Sequence, residues 1–529
     1  MNPFRFLRRL GRLPGLTRGT SGNRHGGQGF SNDLNKNLAT ISAFLGKPSD
    51  LVIRRLSLRG DPPLSIAVVY LRSMVDTETV RLTVVQPLLS FSHVVHKTAA
   101  KTVSPLETLR LTLPTARATF SARSMNELIT LIPEGKVAVL IDGASGALYL
   151  DASRRAARAL QVPTSESTVI GPQIGFNESI DDNLSLIRSR LKHPKLRVEQ
   201  VMIGRKSRTD VRMVYLEGIA PDEIVAELRR RLHEIDTDIV LDPGMIRDLI
   251  TEQPYSPFIL ERTTERPDTV AAEVNLGRIA LLVEGSPFAL LQPSQLFTLI
   301  ESAEDYYLNA LSASLLRLLR ALAYILSVLA TPTYVAIVNF HFELVPLPLL
   351  LNIAATEEGV PFPLPVAAFF TEVVLDIVRE AGVRLPSQFG PVVSIFGAVI
   401  LGQSAIQAGF VAPGLIIVAM LGTICSFAVP RAEKALAYRL IRFPLLLLAS
   451  ILGFPGLTIG GVATVYHIAS LKTLGVPYSV LYTPGHAARL SRKLVRVPAR
   501  RQPVTRPLAQ VDRVRSDRVP EPRDPKNDD

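Results

Sequence analysis

The chain has one cysteine in 529 residues, Cys425. An intramolecular disulfide is therefore impossible, and a cysteine metal cluster is excluded. Cys425 lies inside an apolar run and reads as a small core residue. His93 and His96 share helical spacing, but two histidines alone make a poor metal site. Catalytic motifs are missing as well. There is no G-x-x-x-x-G-K-[ST] phosphate loop, no G-x-G-x-x-G after a strand and no H-E-x-x-H. The expectation is a protein without a cofactor that is not an enzyme. The opening residues, MNPFRFLRRLGRLPG, have no signal-peptide core, because arginines interrupt each apolar stretch.

What is present divides the chain into unlike halves. Hydrophobic residues make up 47% and charged residues 20%, yet the long apolar runs all fall between Leu315 and Leu471. The net charge is +12. Basic residues beside a membrane are drawn to anionic lipid, so a lipid surface is the expected partner and nucleic acid is not.

The first half repeats itself. Asn37-Leu38 recurs as Asn183-Leu184, the strand-like run 67–71 (AVVYL) as 212–216 (RMVYL), and 135–143 (GKVAVLIDG) as 277–285 (GRIALLVEG). The offsets are 146, 145 and 142 residues. Near-constant spacing over three blocks points to duplication. Each copy mixes short β-branched runs, which read as buried strands, with helical stretches. Ser179 to Asp182 has capping-box spacing, and Pro221-Asp222-Glu223 opens a further helix. Asp142-Gly143 and Glu284-Gly285 read as tight turns after strands rather than as a carboxylate site.

The second half reads as membrane-spanning. A span needs about 20 apolar residues. Spans are expected at about 321–340, 364–380, 391–410 and 413–430, followed by a run, 443–471, broken by Gly453, Pro455, Gly456, Gly460 and Gly461. Arg317 and Arg320 precede the first span, and the loop 341–363 carries glutamates but no Lys or Arg. Arg379 and Arg384 follow the second span, and Arg431, Lys434, Arg439 and Arg442 follow the fourth. These charges place the first half on the cytoplasmic side. The broken run fits either a re-entrant hairpin or one long tilted helix.

Polar residues within these runs are the candidate site. Glu372 and Asp376 are four apart and share one helix face, facing either a water-filled path or paired cations. Gln403 and Gln407 repeat that spacing and either line a pore or bridge helices. Ser394, Ala398 and Gly402 form a stripe of small residues suited to close helix packing. Glu357 and Glu358 lie in the loop expected outside the membrane.

Several blocks resemble a known family. They are GPQIGFNES (171–179), Asn183-Leu184, IRSR (187–190), TERPD (264–268), VEGSPF (283–288) and EDYY (304–307). In the apolar half they are EEGVPFP (357–363), Gly402-Gln403, RFP (442–444) and GVPY (475–478). The chain resembles the A subunit of the GerA-type spore germination receptors, a family that includes the stage V sporulation protein AF branch. The likeness runs from about Asn32 to Pro484, with Gln173-Ile174 where the family has Arg-Glu.

The resemblance implies a multi-pass protein of the endospore inner membrane. It implies a homo-oligomer, a pentamer, that forms a cation channel opened by germinant. Glu357 and Glu358 would then stand at its outer mouth and concentrate cations. It implies two partners, a transporter-like B subunit that binds nutrient and a lipoprotein C subunit. The AF-type accessory ion channel, a proton-coupled transporter and a scaffold remain alternatives.

The expected fold is an α/β or α+β first half of two related subdomains, followed by an all-α polytopic transmembrane domain. The expected divisions are 1–30, a basic disordered arm; 31–162 and 163–300, the two subdomains; 301–484, the transmembrane domain; and 485–529, a basic and then mixed-charge disordered tail.

Overall fold

The structure is a computed structural model. It describes residues 29–58, 64–91, 106, 109–110, 119–122, 124–154, 162–163, 165–166, 168, 170–383, 390–430, 432–479 and 495–496. The two terminal arms, His93 and His96 lie outside the described residues, apart from the short stretches 29–30 and 495–496. The chain forms two compact units. One holds 1–44, 52–70 and 77–152; the other holds 45–51, 71–76 and everything from Ser153.

The first unit contains α1 (Leu34–Leu45, all but its last residue), β1 (Leu51–Leu58, all but its first), β2 (Leu64–Leu71, all but its last), α2 (Thr77–Val80), α3 (Gln86–Phe91), β3 (Thr119–Ala122), α4 (Met125–Leu131), β4 (Lys136–Ile141) and β5 (Ala147–Asp151). Its sheet has the order β1-β2-β4-β5-β3.

The second unit opens with α5 (Ile180–Arg190), β6 (Leu196–Ile203), β7 (Thr209–Leu216), α6 (Asp222–Glu234), α7 (Pro243–Ile250), β8 (Arg262–Thr264), α8 (Pro267–Asn275), β9 (Ile279–Val283) and β10 (Ala289–Gln292). Its sheet has the order β6-β7-β9-β10-β8, the same path through five strands. Neighbours from β6 to β8 all pair antiparallel.

The all-apolar strands are buried on both faces. Ile279, Leu281 and Val283 of β9 pack with Ile224, Leu228 and Ile246 of α6 and α7. Ala280 and Leu282 point the other way, onto Leu184, Ile187 and Val270 of α5 and α8. Alternation with period two, covered by helices on both sides, explains why β9 shows no polar face.

The duplication extends to polar detail. In the first copy Asn37 accepts from the Ser31 amide (2.9 Å) and donates to the Ser31 carbonyl (2.7 Å). In the second, Asn183 does the same to Asn177 at 2.9 and 2.6 Å. Asp142 accepts from the Leu34 amide at 3.0 Å, and Glu284 from the Ile180 amide at 3.1 Å. These carboxylates sit at helix N-termini, where they answer orphan N–H groups and the helix dipole. The following Gly143 and Gly285 have φ of +79° and +82°, conformations open to glycine. So the acidic turns are structural caps. Ser179 caps α5, accepting from the Asp182 amide at 3.4 Å.

Apolar helices follow: α9 (Ala310–Phe340), α10 (Leu347–Glu357), α11 (Leu364–Val383), α12 (Gly390–Gln407), α13 (Pro413–Phe427), α14 (Ala432–Leu452) and α15 (Phe454–Ser470), then a small ladder of β11 (Lys472–Thr473) and β12 (Val476–Pro477). Among the described residues, α9 is the one helix long and apolar enough to cross a membrane by length and composition. It starts eleven residues before the apolar run that marks it, because Asn309 caps it, accepting from the Ser312 amide at 2.7 Å. The broken run forms two helices that meet at Gly453, whose φ is +65°. The first arm reaches back to Ala432 and takes in Arg439 and Arg442. Gly456 and Gly460 let the arms approach: a Cβ on Gly456 would stand 2.1 Å from the Leu448 carbonyl oxygen.

Candidate functional site: a buried ion network among the apolar helices

Glu372 and Asp376 sit one turn apart on α11. Glu372 is fully buried and Asp376 is 22% exposed. Facing them from α14 is Arg442, 1% exposed. Its guanidinium lies 2.7 Å from Glu372 Oε2, out of line for a hydrogen bond, and its Nη2 donates to Asp376 Oδ2 at 3.3 Å. From α9, the Thr331 hydroxyl donates to Glu372 Oε1 at 2.5 Å. Arg379, one turn on along α11, reaches Asp376 Oδ1 at 3.4 Å, and Arg439 stands 4.0 Å from the same oxygen. Two prolines lie at the network, Pro332 beside Thr331 and Pro444 two residues past Arg442. Each removes a helix hydrogen bond and loosens its helix there.

The acids therefore meet cations within the bundle. Sequence reading placed Arg439 and Arg442 in a loop after the fourth span. The structure places both inside α14, where they neutralise the acids of α11. The available signal was Arg442 two residues ahead of a proline, at the edge of an apolar run.

The other candidates do not join this network. Gln403 and Gln407 lie on α12 with exposed side chains. Gly402 faces α13, and a Cβ there would stand 3.2 Å from Ile416. The side chains of Ser394 and Ala398 lie outside the described residues. Glu358 is exposed. Glu357 borders a cavity of 310 Å³ with Val360, Pro361, Phe362 and Ala412. Its Oε1 has no hydrogen-bond partner, and burial raises its pKa. No group of three or more metal-ligating side chains occurs among the described residues.

A second set of contacts ties the repeat to α9. Asp305 is fully buried and accepts from Arg317 Nε and Arg320 Nη1, both at 2.8 Å. The two arginines that mark the membrane edge in sequence thus share one carboxylate. Arg266 is fully buried; it holds Asp268 at 2.9 Å and the Pro172 carbonyl at 2.8 Å. Tyr307, three residues before α9, donates to Asp268 at 2.8 Å. Burial alone would raise the Asp268 carboxyl, but Arg266 and Tyr307 hold it below its ordinary range. Burial and Asp268 push the Tyr307 phenol up to about 12. Phe258, Tyr324, Tyr438 and Tyr478 close the joint, with Tyr324 and Tyr438 edge to face at 4.3 Å.

An antiparallel repeat joined to apolar helices with an internal ion network defines a membrane-associated protein carrying a folded polar domain. The chain belongs to the Bacillus/Clostridium GerA spore germination protein family, whose profile matches residues 39–508. That is the family of the A subunits of spore germination receptors. The chain is 36% identical over 469 residues to spore germination protein KA of Bacillus subtilis (strain 168), covering 89% of this chain and 85% of that one. It is 34% identical to spore germination protein GerLA of Bacillus cereus, covering 86% and 91%. Among solved structures it is similar to the N-terminal domain of the A subunit of the Bacillus megaterium spore germinant receptor GerK3 (32% identity, 51% of this chain, 98% of that chain, TM-score 0.41).

Proposed function

We propose that this subunit oligomerises, as a pentamer, into a germinant-gated cation channel of the endospore inner membrane. It works there with a transporter-like B subunit and a lipoprotein C subunit. Helices α9, α11, α12, α13 and the α14–α15 hairpin lie in the membrane, with the repeated domain on the cytoplasmic side. The carrying observation is α12. Gln403 and Gln407 stand exposed, one turn apart, on a helix that also exposes Val399, Ile400 and Leu401. Amides facing lipid are unfavourable, and a shared axis between copies would hydrate them. Helix α11 has 20 residues, about 30 Å of rise, enough to span. Its acids are paired within the bundle, which supports a bracing role for Glu372 and Asp376 over a pore-lining one.

The test is conductance of the full-length chain reconstituted in planar bilayers. In a Cys425→Ser background, Gln403→Cys or Gln407→Cys should let a charged thiol reagent block the current. Current untouched by reagent at both positions would refute the α12 axis. Glu357→Gln with Glu358→Gln should lower cation selectivity if these acids form the mouth; unchanged selectivity would refute that assignment. Germination that proceeds fully in a stable Glu372→Leu variant would leave the acids with structure alone.

A further inference from the structure

The ion network does not balance. Among the described residues, three guanidinium groups (Arg379, Arg439 and Arg442) share two carboxylates (Glu372 and Asp376). Arg442 uses the short contacts. Arg379 and Arg439 are left to divide one oxygen, Asp376 Oδ1, at 3.4 and 4.0 Å. Charge-assisted hydrogen bonds close to about 2.7–2.9 Å, so neither arginine is well served.

Several donors are also idle. Nε of Arg379, Arg439 and Arg442 and the Thr423 hydroxyl are buried without a hydrogen-bond partner. Arg379 is only 7% exposed; its Nη2 leans on the Thr423 carbonyl at 3.4 Å, and its guanidinium covers the Phe427 ring at 5.1 Å. A buried cation left short of counter-charge is unfavourable unless an anion meets it.

Position supplies the anion's identity. Arg379 lies one turn from the end of α11, Thr423 one turn from the end of α13, and Arg439 two turns into α14. All three sit toward the ends that run into Arg384, Arg431 and Lys434. Arg439 is the outermost, 20% exposed. The arrangement is a basic cluster between three helices near one end of the bundle. Arginine pairs face phosphate oxygens bidentately, and basic sites between helices on the cytoplasmic side accept phosphorylated headgroups.

We propose that Arg379, Arg439 and the Thr423 hydroxyl bind one phosphate group, supplied by the headgroup of an anionic phospholipid. The bound phosphate completes the network and locks α11, α13 and α14 together at that edge. This assignment rests on the membrane reading above.

The experiment is thermal unfolding of the full-length chain in nonionic detergent. Short-chain phosphatidylglycerol, phosphatidylcholine of the same chain length, or inorganic phosphate is added in turn. Phosphatidylglycerol should raise the melting midpoint and phosphatidylcholine should not. Arg439→Gln should weaken the phosphatidylglycerol effect about tenfold or more in concentration, the equivalent of about 1.4 kcal/mol. Arg439→Lys should recover part of it. Equal shifts with both lipids, or a full shift retained in Arg439→Gln, would overturn the site. Inorganic phosphate matching phosphatidylglycerol would overturn the lipid as its source.

Should Arg439→Gln not fold, native mass spectrometry of the wild-type chain decides. Retained phosphatidylglycerol in excess over phosphatidylcholine supports the site, and parity overturns it. Release of the chain from cell membranes by alkaline carbonate would sink the membrane reading separately, because the detergent titration needs no bilayer.

Discussion

Replacing Arg442 by methionine probes the helix network most directly. Arg442 and Glu372 are 1% and 0% exposed, 2.7 Å apart. Without the arginine, Glu372 has no other ion pair among the described residues and keeps only the Thr331 hydroxyl at 2.5 Å. Deleting one member of a buried pair is destabilising by about 3–5 kcal/mol, because a charge is left uncompensated. Asp376 suffers less: it retains Arg379 at 3.4 Å and is 22% exposed. Removing both members is different, since apolar residues of similar volume often replace a buried pair at no net loss. The double variant Glu372→Leu with Arg442→Met should therefore be more stable than Arg442→Met alone, by about 2 kcal/mol or more. Denaturant titration of the detergent-solubilised chain, followed by far-UV circular dichroism, measures Arg442→Met, Glu372→Leu and the double variant. A double variant whose loss equals the sum of the single losses to within about 0.5 kcal/mol would refute the pairing.

The repeat makes a paired prediction. Asn37→Ala and Asn183→Ala each remove two hydrogen bonds of matching geometry, so each should lose about 2 kcal/mol of protection in its own helix, α1 or α5, by amide hydrogen exchange. Asp305→Ala removes the carboxylate shared by Arg317 and Arg320 and should lower stability by about 3 kcal/mol in the same denaturant titration. Tyr307 and Asp268 set opposite pH limbs. The raised phenol favours the folded state below its unfolded pKa of about 10, and that contribution disappears as pH rises through about 12. The depressed carboxyl contributes above its unfolded pKa of about 3.9, and that contribution disappears as pH falls through its lower folded value. Tyr307→Phe should flatten the alkaline limb of the melting midpoint against pH, and Asp268→Asn the acid limb.

Much of the fold was legible because its strongest signals are periodic and repeated. Two nine-residue blocks with the same apolar core, 135–143 and 277–285, became β4 and β9, the central strands of two sheets with one strand order. The Asn37 and Asn183 pair pointed to the helices but falls three residues inside each start, and only the structure shows each asparagine clasping the residue six before it. What stayed hidden lies where hydropathy changes inside an element. Helix α10 sits in a stretch read as a loop, since its eleven residues, mostly apolar, fall short of a span. Helix α9 begins among arginines, which a window of apolar residues excludes, yet Arg317 and Arg320 are neutralised on Asp305.

The same effect hid the partners of the candidate site. Glu372 and Asp376 stood out as carboxylates in an apolar helix, and their spacing correctly put them on one face. Their counter-ions did not stand out, because Arg439 and Arg442 fell on the boundary where charge counts assign residues to a loop. A charge count weighs each residue by its distance from an apolar run; it has no information about which charges meet. Yet the energetics point one way. Two carboxylates one turn apart in a bundle repel one another and lose hydration, so they persist only with cations supplied from another helix. The proline two residues past Arg442 adds a second constraint. It removes one backbone hydrogen bond of α14 beside the level where the guanidinium bridges Glu372 and Asp376, and a lysine there, with a single compact charge, could not span both carboxylates at 2.7 and 3.3 Å. Arg442→Lys should consequently keep one contact and lose the other, with stability between that of the wild type and Arg442→Met; stability equal to the wild type would show that the bridge contributes nothing.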